Sequence, residues 1–485
     1  MSIVKKIGIL SLSQGINILV NLLFLPYMAR VLDYSDYGSY GQVILIVSFV
    51  GAVLTVGLPK ILYVYLYERS RDEKIVLSSN LIAAFTLGGL GSFFLLLTGS
   101  SFSLWLDNGA IESLIYIYAF SLLFSIPSQS INSYFIFTNR VKTSVALIVL
   151  TNLIKVTLVV LAIQFYGSVY LALVGIFISQ LLQFLLGVYL IRKSIVFKLD
   201  RLLIFEQLKK GFPLGLTGLL GTAILYTDGL MVSRFNGVES YAIYRNGAIE
   251  VPFIASVYGA ISTIVLPEIT KLYSNNNFKE IINLKKKVIM NSMMLTYPVL
   301  IFLIFNSSDL IVAYLGNKYE ASAIIFLVFN FTLLIRVNDY GDILIAANKG
   351  KTMLYYYLIA LFVNIILNYF LIQWLGGVGA AISTVFSVFL LAFLQLIKSL
   401  SIIKSKITDL IIFKNFALLI VSSLILAFGI NLVLSYFLES QLKLIVFFLT
   451  FFPVIYFFLY KKGLFSREIV YRLLPLKITN WLNKV

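Results

Sequence analysis

Apolar runs long enough to cross a bilayer recur from one end of this chain to the other, and no other feature limits its fold as strongly. They fall at about 7–32, 39–66, 76–104, 112–137, 143–166 and 169–192, and after a polar stretch at about 212–235, 248–272, 288–314, 320–346, 353–374, 377–400, 412–437 and 442–460. A spanning helix needs about 20 such residues. Lipid offers no partner to backbone N–H and C=O groups, so each run must satisfy them internally, as a helix does. Of the 485 residues 60 % are hydrophobic and only 12 % charged, which leaves little chain for anything else. The expected fold is therefore an all-α integral membrane protein of about fourteen transmembrane helices. Lys5 and Lys6 precede the first run in the manner of a signal peptide. That run is too long and lacks a small-residue cleavage site, so it is read as a retained span.

An even number of spans puts both termini on one side, and the basic residues indicate which. Lys5, Lys6, Arg69, Arg71, Lys74, Arg140, Lys142, Lys209, Lys210, Lys285, Lys286, Lys287, Lys349 and Lys351 fall at ends and connections on the N-terminal side, while the opposite side keeps Arg30, Arg234, Arg245, Lys318 and Lys443. That bias places both termini in the cytoplasm. The net charge of +17 is then topological. It is spread over many short loops and forms no basic stripe with interleaved aromatics, so nucleic acid is not an expected partner. Cysteine and histidine are both absent, which excludes disulfides, thiol nucleophiles, His-based metal sites and His general bases. No organic cofactor is expected. The mixed apolar and basic stretches 197–210 and 464–482 are read as helices lying on anionic lipid.

The chain repeats itself. Arg30, Tyr37 and Tyr40 recur as Arg234, Tyr241 and Tyr244, and Leu58, Pro59 and Tyr65 as Leu266, Pro267 and Tyr273. Asn139, Lys142, Thr143, Gly167 and Val169 recur as Asn348, Lys351, Thr352, Gly376 and Val378. Each repeat holds six spans, so the halves run parallel, as in transporters built from repeats related by an axis along the membrane normal. The expected organisation is a six-helix lobe over 1–196, an amphipathic linker over 197–211, a second six-helix lobe over 212–404, two further spans over 405–463 and a cytoplasmic tail over 464–485. The two lobes would face a central cavity.

The segment Ser11–Tyr40 carries Gln14, Asn17 and Asn21 on one helical face, then Pro26, Arg30 and an acidic, tyrosine-rich turn. An amide stripe in a spanning helix must meet another helix or a wet cavity. This N-terminal pattern, the Gly57-Leu58-Pro59 ending the second span, the six-plus-six-plus-two layout and the lack of a large extramembrane domain resemble the polysaccharide-transporter branch of the multidrug/oligosaccharidyl-lipid/polysaccharide exporters, and more narrowly the Wzx-type O-antigen flippases. The resemblance implies translocation of an undecaprenyl-diphosphate-linked oligosaccharide from the cytoplasmic to the periplasmic leaflet of a bacterial inner membrane. It also implies work beside a polymerase and a chain-length regulator of the same pathway.

A sugar-diphosphate headgroup needs a polar and preferably cationic path while its polyprenyl tail stays in lipid. Lys155, near the centre of the fifth span, is the sharpest candidate, because a lysine there costs about 2.5–3.5 kcal/mol to insert unless its surroundings are wet or anionic. It is read either as a cavity cation or as one paired with a carboxylate for packing. Arg336, Asp339 and Asp342 cluster in the tenth span, where Arg336 and Asp339 sit at pairing distance along one helix. Asp342 is read as a coupling carboxylate or as a partner for Lys155. Asp228 and Glu250 raise the same question: if H+ or Na+ drives transport, one of these four acids carries it. Lys60 could receive the diphosphate or be one more positive-inside residue, and Arg30 and Arg234 could line the path or snorkel to the interface. Gln14, Asn17 and Asn21 could bind sugar hydroxyls or bridge helices. Two rival functions remain: an O-antigen polymerase or ligase, which would want a large periplasmic loop, and a multidrug exporter of the same fold.

Overall fold

The computed structural model describes residues 20, 22–55, 57–68, 72–196, 200–410 and 413–462. Its regular elements there are helical, in the order α1 (Leu22–Val31), α2 (Tyr34–Thr55), α3 (Leu58–Glu68), α4 (Glu73–Trp105), α5 (Ile111–Ala119), α6 (Leu122–Phe137), α7 (Val141–Tyr166), α8 (Val169–Ile191) and α9 (Arg201–Gly247). The order continues with α10 (Pro252–Ser274), α11 (Phe278–Leu315), α12 (Ser322–Asn330), α13 (Asp342–Ala346), α14 (Gly350–Leu375), α15 (Gly377–Ile402), α16 (Phe413–Phe437) and α17 (Ser440–Lys461). Among the described residues, nine helical segments are long and apolar enough to cross a membrane, or ten if the pair α5 and α6, bent by 43°, is one span. The other expected spans fall on α1 and on Ser322–Leu334, which are shorter, and on α9 and α10.

The repeat is visible in the backbone. Asn139 and Asn348 adopt the left-handed conformation at φ 60° and 54°, just before α7 and α14. In each turn the next residue's N–H closes a long hydrogen bond, from Arg140 to the Phe135 carbonyl at 2.7 Å and from Lys349 to the Leu344 carbonyl at 2.8 Å. Gly167 and Gly376 then link α7 to α8 and α14 to α15 at φ 57° and 58°. Glycine populates this region without the Cβ penalty, and asparagine tolerates it through local hydrogen bonding.

Residue contacts divide the chain into two compact units, Met1–Arg245 with Leu361–Ala380, and Asn246–Ala360 with Ala381–Val485. In the first, α2 and α9 approach closely because Gly38 and Gly41 lack side chains. A Cβ on Gly38 would collide with the Val238 carbonyl oxygen. Of the linker expected over 197–211, residues 197–199 lie outside the described residues and 201–211 fall in the first part of α9: Leu202 and Phe205 are exposed, while Gln207 is buried and accepts a 2.9 Å hydrogen bond from Asn80. In the second unit, α17 packs on α11 through a phenylalanine cluster in which Phe302 meets Phe447, Phe448 and Phe452, and α16 meets α11 through Phe416 and Tyr297.

Candidate functional site

One face of α2 lines two adjoining cavities of the first unit. Tyr37, Tyr40 and Ile44 face a cavity of about 330 Å³, and Val47, Ser48, Gly51 and Thr55 face one of about 550 Å³. At 1.5 Å per residue, Tyr37 to Thr55 covers about 27 Å, most of a bilayer's hydrocarbon depth. Tyr118 and Gln180 line both cavities and are joined by a 3.3 Å hydrogen bond from the Gln180 amide to the Tyr118 hydroxyl.

Lys155 opens into the smaller cavity, and among the described residues no ion pair or hydrogen bond engages its ammonium. Arg245 shares that cavity, and its guanidinium lies 5.1 and 5.2 Å from the ring centroids of Tyr37 and Tyr40. Two cations thus stand in an aromatic-walled chamber, an arrangement suited to an anionic headgroup carrying sugar rings. Arg245 is a site residue that the sequence reading passes over. Its one signal there is its place beside the repeated Tyr241 and Tyr244 motif. Lys60 is exposed and lines the larger cavity with Gln129 and Ser125. Arg30 and Arg234 are exposed. Gln14, Asn17 and Asn21 lie outside the described residues.

Asp228 is wholly buried in α9. Its Oδ1 accepts from the side-chain amides of Asn364 at 3.0 Å and Asn368 at 2.6 Å, and its Oδ2 from the Tyr244 hydroxyl at 3.2 Å. The Asn368 Oδ1 is buried with no hydrogen-bond donor among the described residues. A buried carboxylate beside an unsatisfied amide oxygen is a donor set for a hard cation, which prefers oxygen ligands. Asn364 and Asn368, four residues apart in an apolar span, carry the same signal as the amide stripe of the first span, and the sequence reading misses them.

The other acids have partners in the second unit. Glu250 takes Arg336 in a two-point ion pair, at 3.0 and 3.1 Å, so Arg336 is not bonded to Asp339 as its spacing suggested. The span unwinds between α12 and α13, and helical spacing therefore no longer applies there. Asp339 accepts from the Ser262 hydroxyl at 2.6 Å. Asp342 does not meet Lys155: its partner is Lys285, at 2.5 Å, and both side chains are buried. In the sequence Lys285 reads with Lys286 and Lys287 as a cytoplasmic-side charge. Only Lys287 of the three is exposed, and Lys285 turns fully inward.

A helical membrane body with a polar, cationic chamber and a buried carboxylate cage defines a multi-pass transporter rather than an enzyme. The chain belongs to the polysaccharide biosynthesis protein family, whose model matches residues 3–273. A second model, that of the lipid II flippase MurJ, matches residues 230–448. These matches and the fold place it in the polysaccharide-flippase branch of the multidrug/oligosaccharidyl-lipid/polysaccharide exporter superfamily. A putative O-antigen transporter of Shigella flexneri is 21 % identical over 404 residues, covering 79 % of this chain and 94 % of the relative. An uncharacterized membrane protein of Methanocaldococcus jannaschii is 27 % identical over 183 residues, 37 % of this chain, which here spans about a third (36 %) of that relative. Among solved structures, the lipid II flippase MurJ in an inward closed conformation aligns with a TM-score of 0.70 at 20 % identity, over 93 % of this chain and 99 % of that one. An inward-facing multidrug resistance MATE transporter aligns with a TM-score of 0.61 at 14 % identity, over 82 % of this chain and 98 % of that one.

Proposed function

We propose that this protein flips undecaprenyl-diphosphate-linked oligosaccharide repeat units, of O-antigen or a related surface polysaccharide, from the cytoplasmic to the periplasmic leaflet of a bacterial inner membrane. The observation that carries this reading is the chamber holding Lys155 and Arg245 beneath Tyr37 and Tyr40. Its cations match a diphosphate, its rings match sugar faces, and the larger cavity beside it offers Lys60, Gln129 and Ser125 as a second station along the same face of α2. Both termini are cytoplasmic in this reading, and a polymerase and a chain-length regulator would act on the delivered units. An exporter of cationic drugs would gain nothing from two cations in one chamber.

Transport is coupled to H+ or Na+ at Asp228, where the carboxylate and the unsatisfied Asn368 oxygen provide the ligands. Cation binding at such a cage would favour one conformation over another by its differential affinity alone. The test of the substrate assignment is where lipid-linked single repeat units collect in cells lacking the protein. Accumulation confined to the cytoplasmic leaflet is expected. Single units reaching the cell surface would remove the flippase reading in favour of a polymerase.

A further inference from the structure

The second unit contains a spanning segment that unwinds inside the protein. After α12 the chain passes through a short 3-10 turn over Phe331–Leu334 and stays irregular until α13 begins at Asp342. Irregular backbone at membrane depth survives only where protein or a wet cavity satisfies its polar groups. Here four carbonyls of the unwound stretch are each held by a side chain from another helix. Tyr297 donates to Leu334 at 3.0 Å, Tyr258 to Asn338 at 3.1 Å, Lys285 to Asp339, and Ser399 to Tyr340 at 3.1 Å.

Lys285 differs from the three hydroxyls because its ammonium is shared among three oxygens. It reaches the Asp342 carboxylate at 2.5 Å, the Asn338 side-chain oxygen at 2.8 Å and the Asp339 carbonyl at 2.5 Å. An ammonium has three N–H donors, so this set saturates it. A carboxylate, an amide oxygen and a backbone carbonyl converging at an unwound helix is also the donor set that a hard monovalent cation would take. The cavity against Lys285, lined by Asn338, Tyr340 and Ser399, is only about 10 Å³, the centre space of a single water. With lysine present its ammonium already takes the three oxygens that an ion would need.

We infer that the Lys285 ammonium is a tethered cation occupying an oxygen cage, and that the second unit thereby carries its own permanent counter-ion at the broken span. Truncating the side chain would turn the cage into a binding site for a free monovalent cation, Na+ or a small ammonium ion. This holds whichever lipid the protein carries.

The full-length Lys285→Ala protein, purified in nanodiscs, tests it by thermal melting against NaCl and methylammonium chloride, with choline chloride holding ionic strength constant. The variant should melt below the native protein in choline. With either small cation it should recover by a saturable rise of at least about 3 °C beyond any native response. The double variant Lys285→Ala with Asp342→Asn, and Lys285→Met, which fills the stem space without charge, should show no such added rise. A flat curve for Lys285→Ala, or the same rise in the double variant, overturns the assignment. If Lys285→Ala is extracted intact only in NaCl or methylammonium chloride and not in choline, that selectivity is the expected result in another form. Failure to extract it in every salt would overturn the assignment by showing that no free cation replaces the lysine.

Discussion

Replacing Asp228 by Asn should leave the protein folded and remove its response to the coupling cation, whereas Ala at the same position should also destabilise it. The amides of Asn364 and Asn368 both donate to Oδ1, so an Asn at 228 that keeps an oxygen there retains both bonds. Its new amide would face the Tyr244 hydroxyl, which can turn from donor to acceptor. Neutral hydrogen bonds between membrane helices average about 0.6 kcal/mol, so the exchange should cost about 1 kcal/mol or less. Ala instead removes the acceptor of the buried Asn364 amide and of one N–H of Asn368, whose other bond, to the Asn364 Oδ1 at 3.2 Å, remains. At about 1–3 kcal/mol for each group left unsatisfied, and with some relaxation, roughly 3 kcal/mol is lost. With an unfolding entropy of about 2 cal/mol/K per residue over 485 residues, close to 1 °C per kcal/mol, that is a melting temperature lower by roughly 3 °C. Melting in NaCl against choline chloride, together with gradient-driven transport in proteoliposomes, reads both effects. A Na+ or H+ dependence that survives in Asp228→Asn, or equal stability of the Asn and Ala variants, would refute the reasoning.

Other expectations follow from the same geometry. Lys155→Ala should abolish surface polysaccharide at an unchanged amount of protein in the membrane, and Lys155→Arg should keep part of it; immunoblots of both fractions decide, and normal polysaccharide in the Ala variant would remove Lys155 from the mechanism. Gly38→Val should separate α2 from α9, because even a Cβ there runs into the Val238 carbonyl, with a loss of about 1–3 kcal/mol seen in thermal melts. Gly167→Ala and Gly376→Ala should each cost only about 1 kcal/mol, the left-handed backbone penalty, since a Cβ at either position would have no neighbour within 4 Å; equal melting shifts for the pair would match their equivalence in the repeat. Arg336→Gln should cost no more than about 1 kcal/mol, since the Arg336 side chain is 37 % exposed and solvent screens its pairing with Glu250.

The helical membrane fold was legible because hydropathy is a property of each segment alone, and the lipid solvent allows few other solutions. The repeat was legible because Asn139 and Gly167 occupy backbone conformations that constrain residue type, so their counterparts Asn348 and Gly376 persist. Partnerships were harder to see. Arg336 and Asp339 stand three residues apart, and helical geometry would join them, but the backbone unwinds between them and Arg336 takes Glu250. Lys285 was hidden because three consecutive lysines read as one surface charge, although successive residues on a helix point about 100° apart. The cage at Asp228 combines residues separated by more than a hundred positions, and no spacing within one helix reveals it.

The unwound stretch before α13 also bears on how the chain is assembled in the membrane. Its carbonyls would each cost several kcal/mol if left facing lipid, so this segment cannot hold its unwound form in the bilayer without protein partners. Three of the four side chains that hold those carbonyls, Tyr258, Lys285 and Tyr297, lie on α10 and α11, which are synthesised earlier. The last, Ser399, lies on α15, which is synthesised later. The unwound form is therefore held first by helices already in place and fully satisfied only when α15 arrives, which makes the order of the chain itself part of the folding pathway.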